Sequence, residues 1–464
     1  MVKERNAAMF FLAVIIFLCA ACGTAQDKVV SINLELPADW ASAIDMDALG
    51  APSSTPYIGT IRFFYGEAQA KYEDFPYAGH RASFNAAGID DLLVQALTAG
   101  QVIMEGSVEG VGSMSGEVTV SLEKANGFSD AGTLLYPRQN HSAVFANGVL
   151  YVLGGNTGTG IIEAVASSVE GFISSAYAAS FAYTRGEATV LHDEVGNQLF
   201  VFKGASAVDD NLYEVVDLGN EIVIPRSLAS FRTDYFPIFS DQEIILVGGY
   251  DTVVKDSWQI NSYELDVSEF PFNEFILPLI SLDSERQDVM CSVNNLRLIC
   301  IGGYANSSYV NELKVFDLLT KSAVGGTFIP VGRIKSALVN IDNQSMALVG
   351  GLGQSGYLSD INVIDLYNLS LTVFEDALHF PRANHTATLI NTNDVLIVGG
   401  GPSVETSHSA ELLDLTTGES TLLPWRLKVP RVGHTATLLP DGRVLIAGGS
   451  ATDRRMEVWN PRSN

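Results

Sequence analysis

The chain has 464 residues, 47% of them hydrophobic and 17% charged, so it is long enough to bury a large core and to form more than one domain. With 27 Lys and Arg residues against 53 Asp and Glu residues, its net charge of −26 argues against nucleic acid or an anionic membrane surface as a partner. The acidity favours the solubility of an exported protein. The alternative is a preference for calcium, which would be diffuse because the sequence contains no EF-hand-type loop.

The N-terminus predicts export. Lys3 and Arg5 precede an apolar run that is shorter than the roughly 17 to 25 residues of a membrane-spanning helix and has the form of a secretory signal. The run ends Ala-Ala-Cys-Gly and resembles a bacterial lipobox, which implies that Cys22 is lipidated. Cys19 replaces the usual leucine, which leaves an ordinary signal peptide as the alternative. We therefore expect residues 1–22 to be a lipoprotein-type signal and the mature protein to be anchored in the cell envelope, at the outer membrane.

Residues 23–125 lack any internal repeat and predict a small β-sandwich. Five stretches have the apolar patterns and flanking turn residues of strands, namely Val29 to Pro37, Thr60 to Tyr65, Leu92 to Thr98, Gln101 to Val108 and Gly116 to Glu123. The run from Leu93 to Gly100, followed by the run from Val102 to Gly106, resembles the paired strands of immunoglobulin-like or transthyretin-like accessory modules. A short linker, Lys124 to Asp130, is expected to follow.

The rest of the chain repeats one pattern seven times: an arginine, an apolar strand, a turn, a second apolar strand, and a glycine pair or its remnant. The arginines are Arg138, Arg185, Arg232, Arg286, Arg333, Arg382 and Arg431. The second glycine follows its arginine by 17 to 19 residues, and the arginines recur every 47 to 54 residues. This period, filled with β-type residues, is typical of a propeller of four-stranded blades.

The best copies of the repeat read Pro-Arg-Gln-Asn-His-Ser-Ala from Pro137, Pro-Arg-Ala-Asn-His-Thr-Ala from Pro381 and Pro-Arg-Val-Gly-His-Thr-Ala from Pro430. With their Gly-Gly strand ends they resemble the kelch family, and the resemblance covers roughly residues 130 to 464. It implies a seven-bladed kelch β-propeller over residues 126–464. The chain is thus expected to be all-β, with the propeller preceded by the sandwich.

The end of the chain predicts how the repeats close. The last repeat stops after a third strand at Asn460, and the segment near 130 to 136 resembles an orphan fourth strand. We expect this segment to pair with the C-terminal strands and to remove an exposed edge.

The two cysteines outside the leader lie on the first two strands of the fourth repeat. A hairpin turn at Asn295-Leu296 would place Asn294 opposite Arg297 and Cys291 opposite Cys300, as a pair without backbone hydrogen bonds. In an oxidising compartment such a pair forms a cross-strand disulfide. Two reduced core cysteines are the alternative.

Candidates for chemistry are few, since the sequence has no zinc-protease, phosphate-loop or serine-hydrolase motif. His141, His385 and His434 fall at equivalent positions of neighbouring repeats, too far apart to share one zinc ion, so we assign them a structural role. The seven arginines are expected near the channel mouth. They could bind a carboxylate or carbohydrate there, or tie each blade to its neighbour.

These patterns favour a monomeric, non-catalytic binding or scaffolding protein whose ligand is a protein or a glycan, with no metal or cofactor. Variable loops on a rigid scaffold suit that role. The alternative is a propeller enzyme acting on carbohydrate, as a hydrolase or oxidase. That alternative requires acidic residues or metal ligands that converge at the channel mouth.

Overall fold

The computed structural model describes residues 12–14, 29–36, 58, 60–65, 71–76, 82–85, 91–98, 101–114, 116–156, 160–168, 171–181, 188–202, 212–227, 232–240, 243–251, 259–265, 274–281, 286–320 and 322–461. Over these residues the fold is all-β and mostly antiparallel. The helical segments described are a 3-10 turn, Val111–Ser113, and a short helix α1, Val404–His408.

The chain divides into two compact units. The first comprises Met1–Ser129, Leu423–Arg426 and Trp459–Asn464, and the second comprises Asp130–Leu422 and Leu427–Val458. The N-terminal segment of the first unit ends at Ser129. The sequence suggested a domain boundary after residue 125.

The described residues of the first unit form two sheets. Its strands are β1 Leu12–Val14, β2 Val29–Glu35, β3 Thr60–Tyr65, β4 Lys71–Pro76, β5 Ala82–Asn85, β6 Asp91–Thr98, β7 Gln101–Glu109, β8 Gly116–Ser121 and β9 Glu123–Lys124. One sheet runs β4-β3-β6-β7-β9, and in the other β2 pairs with β1, β5 and β8. The β2–β8 pairing is parallel, with Val30 opposite Gly116.

The five strands expected in this unit are present as β2, β3, β6, β7 and β8, and β1, β4, β5 and β9 are additional. The expected linker was wrong, because β9 and then β10 (Gly127–Thr133) occupy that stretch. Asn126 adopts a φ of 50° in the turn between them. β9 pairs with β7, whereas β10 pairs with β40 (Arg455–Asn460), so this turn connects strands of two different sheets.

Among its described residues, the second unit has seven sheets of four or five strands, one for each repeat, and one two-stranded hairpin. The strands of the first three are β11 His141–Ala146, β12 Val149–Gly154, β13 Ile161–Ser168 and β14 Gly171–Ser180 (sheet I); β15 Thr189–Asp193, β16 Gln198–Phe202, β17 Leu212–Asp217 and β18 Ile222–Ser227 (sheet II); β19 Arg232–Ser240, β20 Glu243–Asp251, β21 Gln259–Leu265 and β22 Glu274–Ser281 (sheet III).

The remaining sheets follow the same order with small additions. They are β23 Met290–Asn294, β24 Arg297–Ile301, β27 Glu312–Asp317 and β28 Ser322–Phe328 (sheet IV), with a hairpin β25 Tyr304–Ala305 and β26 Ser308–Tyr309; β29 Arg333–Ile334, β30 Ala337–Asn340, β31 Ser345–Gly353, β32 Gly356–Asp365 and β33 Ser370–Phe374 (sheet V); β34 Thr386–Leu389, β35 Asp394–Val398, β36 Ala410–Asp414 and β37 Ser420–Leu422 (sheet VI); and β38 His434–Leu438, β39 Val444–Gly448 and β40 Arg455–Asn460, which form sheet VII together with β10.

Sheet VII joins the two ends of the second unit. Its order is β10-β40-β39-β38, so a strand from before the first repeat supplies the fourth strand of the last. The amide of Leu134 donates to the carbonyl of Arg454 at 2.8 Å, and the Leu134 side chain packs in one cluster with Met456 and Val458. The predicted pairing of this segment with the C-terminal strands is confirmed.

The core lies between the faces of successive sheets. Phe200 and Phe202 of sheet II pack with Ile244 and Leu246 of sheet III, and similar clusters join the other neighbours for which apolar contacts are described. The cluster that contains Leu134 also contains Val152 of sheet I. Each first strand lies against the first strand of the next sheet, from β11 through β15, β19, β23, β30 and β34 to β38, and β38 lies against β11.

Local chemistry explains where the strands turn. Asn147 and Gly148 adopt φ of 52° and 78°, as a type I′ hairpin requires. At the end of β36, Asp414 accepts the amide of Thr416 at 2.7 Å, which lowers the pKa of its carboxyl. The acidic residue that ends the third strand of this sheet therefore caps the turn that follows it.

Candidate functional site

The five arginines of the repeat whose side chains are described are buried and paired with a carboxylate of their own sheet. Arg138, Arg333, Arg382 and Arg431 are 0% exposed and Arg286 is 3% exposed. Their partners lie on the third strand or, in sheet V, on its equivalent β32: Arg138–Glu163 at 2.8 Å, Arg333–Asp360 at 2.6 Å, Arg431–Glu457 at 2.7 Å, Arg286–Glu312 and Arg382–Glu411. Arg185 and the side chain of Arg232 lie outside the described residues.

Each of these arginines also donates a hydrogen bond to the backbone at the glycine pair of its own repeat. One guanidinium nitrogen donates to the carbonyl of the first glycine of the pair, for example Arg333 to Gly350 at 3.0 Å and Arg382 to Gly399 at 2.8 Å. The arginine and glycine ends therefore lie on the same side of the sheet, as the antiparallel order predicts. Because a buried guanidinium needs both an opposite charge and hydrogen-bond acceptors, the pair fixes the strand end in one geometry.

The partner carboxylates bind more than the arginine. Glu163 accepts the backbone amides of Leu135 and Tyr136 at 2.6 and 3.3 Å and the Ser174 hydroxyl at 2.8 Å. Glu163 thereby connects the segment that precedes β11, the Arg138 side chain and β14, the last strand of sheet I. Glu411 does the same in sheet VI with the amides of His379 and Phe380.

Sequence reasoning missed these carboxylates, although a signal exists. An acidic residue stands three or five positions before the polar residue that ends the third strand. The pairs are Glu214 and Asp217, Glu312 and Asp317, Asp360 and Asp365, Glu411 and Asp414, and Glu457 and Asn460.

The burial of the arginines bears directly on their role. A ligand in solution has no access to a guanidinium that is 0% exposed and bonded to a carboxylate and a carbonyl. The arrangement favours the structural alternative for the described arginines, with the bonds made inside their own sheets rather than to the neighbouring sheet.

The three motif histidines lie at the junctions between sheets. The ring of His434 lies under Gly399 of the preceding sheet, and its Nε2 is 2.8 Å from the Thr386 hydroxyl. Burial lowers the pKa of His141 and of His385 to about 3, so both rings are neutral at physiological pH. No cluster of three or more potential metal ligands occurs among the residues that the structure describes.

Backbone hydrogen bonds connect successive sheets beside these histidines. The amide of the second glycine donates to the carbonyl of the next arginine: Gly303 to Arg333 at 3.0 Å, Gly351 to Arg382 at 2.8 Å, Gly400 to Arg431 at 2.8 Å and Gly449 to Arg138 at 2.7 Å. The last of these bonds links the final repeat to the first.

The residue two positions after each of the five buried arginines is polar and exposed in four cases and is the half-buried Gly433 in the fifth. The backbone of all five residues is left-handed, with φ of 53° at Asn140, 50° at Asp288, 56° at Lys335, 53° at Asn384 and 64° at Gly433. The amide of Asn384 donates to Lys335, that of Gly433 to Asn384, and that of Asn140 to Gly433, at 3.1, 3.2 and 2.8 Å. We call these five residues the left-handed row. Asn and Gly at this position, which tolerate positive φ, were the signal that sequence reasoning passed over.

A cleft of about 430 Å³ begins at one member of this row. Its lining is Asp288, Tyr304, Ser307 and Tyr309 of the fourth repeat with Ile334 and Gln354 of the fifth. Polar side chains and two aromatic rings therefore meet where sheets IV and V adjoin. Sequence reasoning did not find this cleft.

The two cysteines of the fourth repeat are direct cross-strand partners. Asn294 faces Arg297 and Cys291 faces Cys300, which is the register worked out from the sequence. Their Cα atoms are 4.3 Å apart, the spacing of a pair without backbone hydrogen bonds, and a disulfide joins the two sulfur atoms. Both side chains pack in the core between sheets III and IV.

The proposed lipidation site, Cys22, lies outside the described residues. Within the described part of the chain, no helix combines the length and apolar character needed to cross a membrane. A scan against protein-family models gives no match to the chain, and a search of curated proteins gives no significant relative.

Proposed function

We propose that this chain is an exported, non-catalytic binding or scaffolding protein of the cell envelope. Its second unit would be a seven-bladed kelch-type propeller, and its first unit a small immunoglobulin-like or transthyretin-like sandwich. A lipid on Cys22 would hold it at the outer membrane, where it would bind a protein or a glycan as a monomer.

The propeller is supported by the neighbours of each sheet. The first strands of the sheets follow one another in a cycle from β11 to β38 and back to β11. The backbone hydrogen bond from Gly449 to Arg138 connects the last sheet to the first in the same way as the bond from Gly400 to Arg431 connects sheet VI to sheet VII. The strand β10 adds to sheet VII, which gives the last repeat four strands. A ring of seven four-stranded blades accounts for all three features.

The binding role rests on one observation: the repeated charges are buried, while the four polar residues of the left-handed row beside them are exposed. The guanidinium and carboxylate pairs stabilise the scaffold at 0% exposure in sheets I, VI and VII. The side chains of Asn140, Asp288, Lys335 and Asn384 remain at the surface on the same side. A rigid scaffold that presents polar side chains from several repeats suits recognition of a partner.

Export and anchoring are supported by the sequence. The basic residues, the apolar run and the Ala-Ala-Cys-Gly end follow in the order of a lipoprotein signal. Cys291 and Cys300 are bonded, which suits an oxidising compartment.

The test is a binding screen with the mature chain. The purified protein would be applied to a glycan array and, in parallel, cross-linked in an envelope extract. A triple variant, Asn140→Ala with Lys335→Ala and Asn384→Ala, removes three side chains of the left-handed row and leaves the buried pairs intact.

We expect at least one saturable ligand whose binding the triple variant weakens at unchanged folding, as judged by circular dichroism. Turnover of a captured glycan would contradict the non-catalytic role. Metabolic labelling with a palmitate analogue tests Cys22, since the Cys22→Ser variant should lose the label.

A further inference from the structure

The cleft between sheets IV and V is built by a short hairpin. Strands β25 and β26 follow the glycine pair Gly302-Gly303 and carry Tyr304 and Tyr309, whose rings lie 5.3 Å apart at 72° to each other. Ile334 and Gln354 of the next repeat form the opposite wall.

Backbone bonds hold this hairpin in place. Asn306 and Ser307 adopt φ of 49° and 63° in a two-residue turn of type I′. Gln287 and Tyr304 exchange two backbone hydrogen bonds, at 3.0 and 2.8 Å, which fix the hairpin beside Asp288. A ligand therefore meets side chains whose backbone is already ordered, which lowers the entropic cost of binding.

The lining chemistry defines the ligand class. Asp288, Ser307 and Gln354 supply hydrogen-bond acceptors and donors, and Tyr304, which is 36% exposed, offers an aromatic surface. The six lining residues include no cation, so nothing in them would neutralise an anionic ligand. A ligand with several hydroxyl groups around an apolar ring would use both the hydrogen-bonding side chains and the aromatic surface of the cleft.

The count of carboxylates separates binding from cleavage. Glycoside hydrolysis ordinarily uses two carboxyl groups on either side of the scissile bond. Among the residues that line the cleft there is one, Asp288. The volume of about 430 Å³ falls within the range of small-molecule sites.

We propose that the cleft formed by Asp288, Tyr304, Ser307, Tyr309, Ile334 and Gln354 binds a neutral oligosaccharide without cleaving it. This inference rests on the proposed binding function and assigns its ligand class and its location.

The experiment uses the mature chain and a panel of neutral, sialylated and amino-sugar oligosaccharides, with binding measured by calorimetry. The variants are Tyr304→Ala, which removes the aromatic surface, and Asp288→Asn, which keeps the shape and removes the charge. The matched control is Tyr367→Ala, an exposed tyrosine after β32 that does not line the cleft. Circular dichroism and melting confirm that each variant is folded.

We expect a neutral oligosaccharide to bind, its Kd to rise by about tenfold or more in Tyr304→Ala and Asp288→Asn, and its Kd to stay unchanged in Tyr367→Ala. Its reducing-end content should not increase on incubation. Neutral-glycan binding that is unaffected by both cleft variants would overturn the location.

The outcomes also separate this inference from the broader proposal. Capture of an envelope protein with no glycan binding would overturn the ligand class and leave the binding function standing. Failure to bind any glycan or any envelope component would overturn both. Hydrolysis of the bound oligosaccharide would overturn the non-catalytic assignment.

Discussion

Removal of Glu163 should destabilise the second unit strongly, because it leaves a buried charge without its partner. Glu163 is 0% exposed and accepts hydrogen bonds from the amides of Leu135 and Tyr136, from the Arg138 guanidinium and from the Ser174 hydroxyl. Breaking a buried ion pair at one partner costs about 3 to 5 kcal/mol. We expect Glu163→Ala to reduce the free energy of unfolding by that amount.

The assay is equilibrium unfolding in urea, followed by tryptophan fluorescence and circular dichroism, with linear extrapolation to water. The matched control is Asp130→Ala, which removes the acid from the exposed Lys428–Asp130 pair, where the Asp130 side chain is 59% exposed. Exposed pairs contribute about 0 to 1 kcal/mol. The double variant Glu163→Gln with Arg138→Met should recover part of the loss, because it removes both buried charges. A loss in Glu163→Ala no larger than that in Asp130→Ala would refute the reasoning.

Three further effects are expected. Replacing Cys291 and Cys300 by serine should lower the free energy of unfolding by about 2 to 3 kcal/mol, because their separation of 9 residues sets a small closed loop in the unfolded chain; urea unfolding measures it. Deleting residues 130–136 should lower the melting temperature of the second unit, because sheet VII loses its fourth strand. Burial holds the pKa of His385 at about 3. The free energy of unfolding should therefore be unaffected by this residue above pH 6.5 and should fall by about 1.4 kcal/mol per pH unit as the pH drops from 6.5 toward 3. His385→Leu should make the free energy of unfolding less dependent on pH in this acid range.

Each of these effects has a control. The serine variants should match the wild-type protein measured in a strong thiol reductant, and a difference between the two would show that serine perturbs the core. A chain that starts at Gln139 and melts like the full protein would contradict the role of β10. Equal pH slopes for the wild-type protein and His385→Leu between pH 7.5 and 4.5 would show that the histidine is not buried as described.

The parts of the fold that depend on local chemistry could be predicted. The Asn147-Gly148 turn and the position of Cys291 opposite Cys300 follow from turn types and strand alternation, and both are present. The strand Lys71–Pro76 was missed because its charged residues and proline give no apolar alternation. The parallel pairing of β2 with β8 was missed because the choice of a distant partner leaves no local signal.

The candidate site was less predictable for the same reason. The arginines were visible as a repeat, but their burial depends on carboxylates about 25 residues further along the chain, such as Glu163 for Arg138. The cleft combines Tyr304 with Gln354, which belong to different repeats. Neither residue lies in a motif, so only the packing of the two sheets brings them together.

The glycine and arginine bonds between sheets have a consequence for how such a chain can change its length. At four junctions, one amide from the earlier repeat bonds one carbonyl from the later repeat, as in Gly351 with Arg382 and Gly400 with Arg431. The repeats of sheets V, VI and VII therefore each carry both halves of the same connector. Duplication or loss of such a repeat in the gene would leave each glycine amide with an arginine carbonyl to bind. A break inside the repeat would instead leave an amide or a carbonyl without its partner on each side of the break.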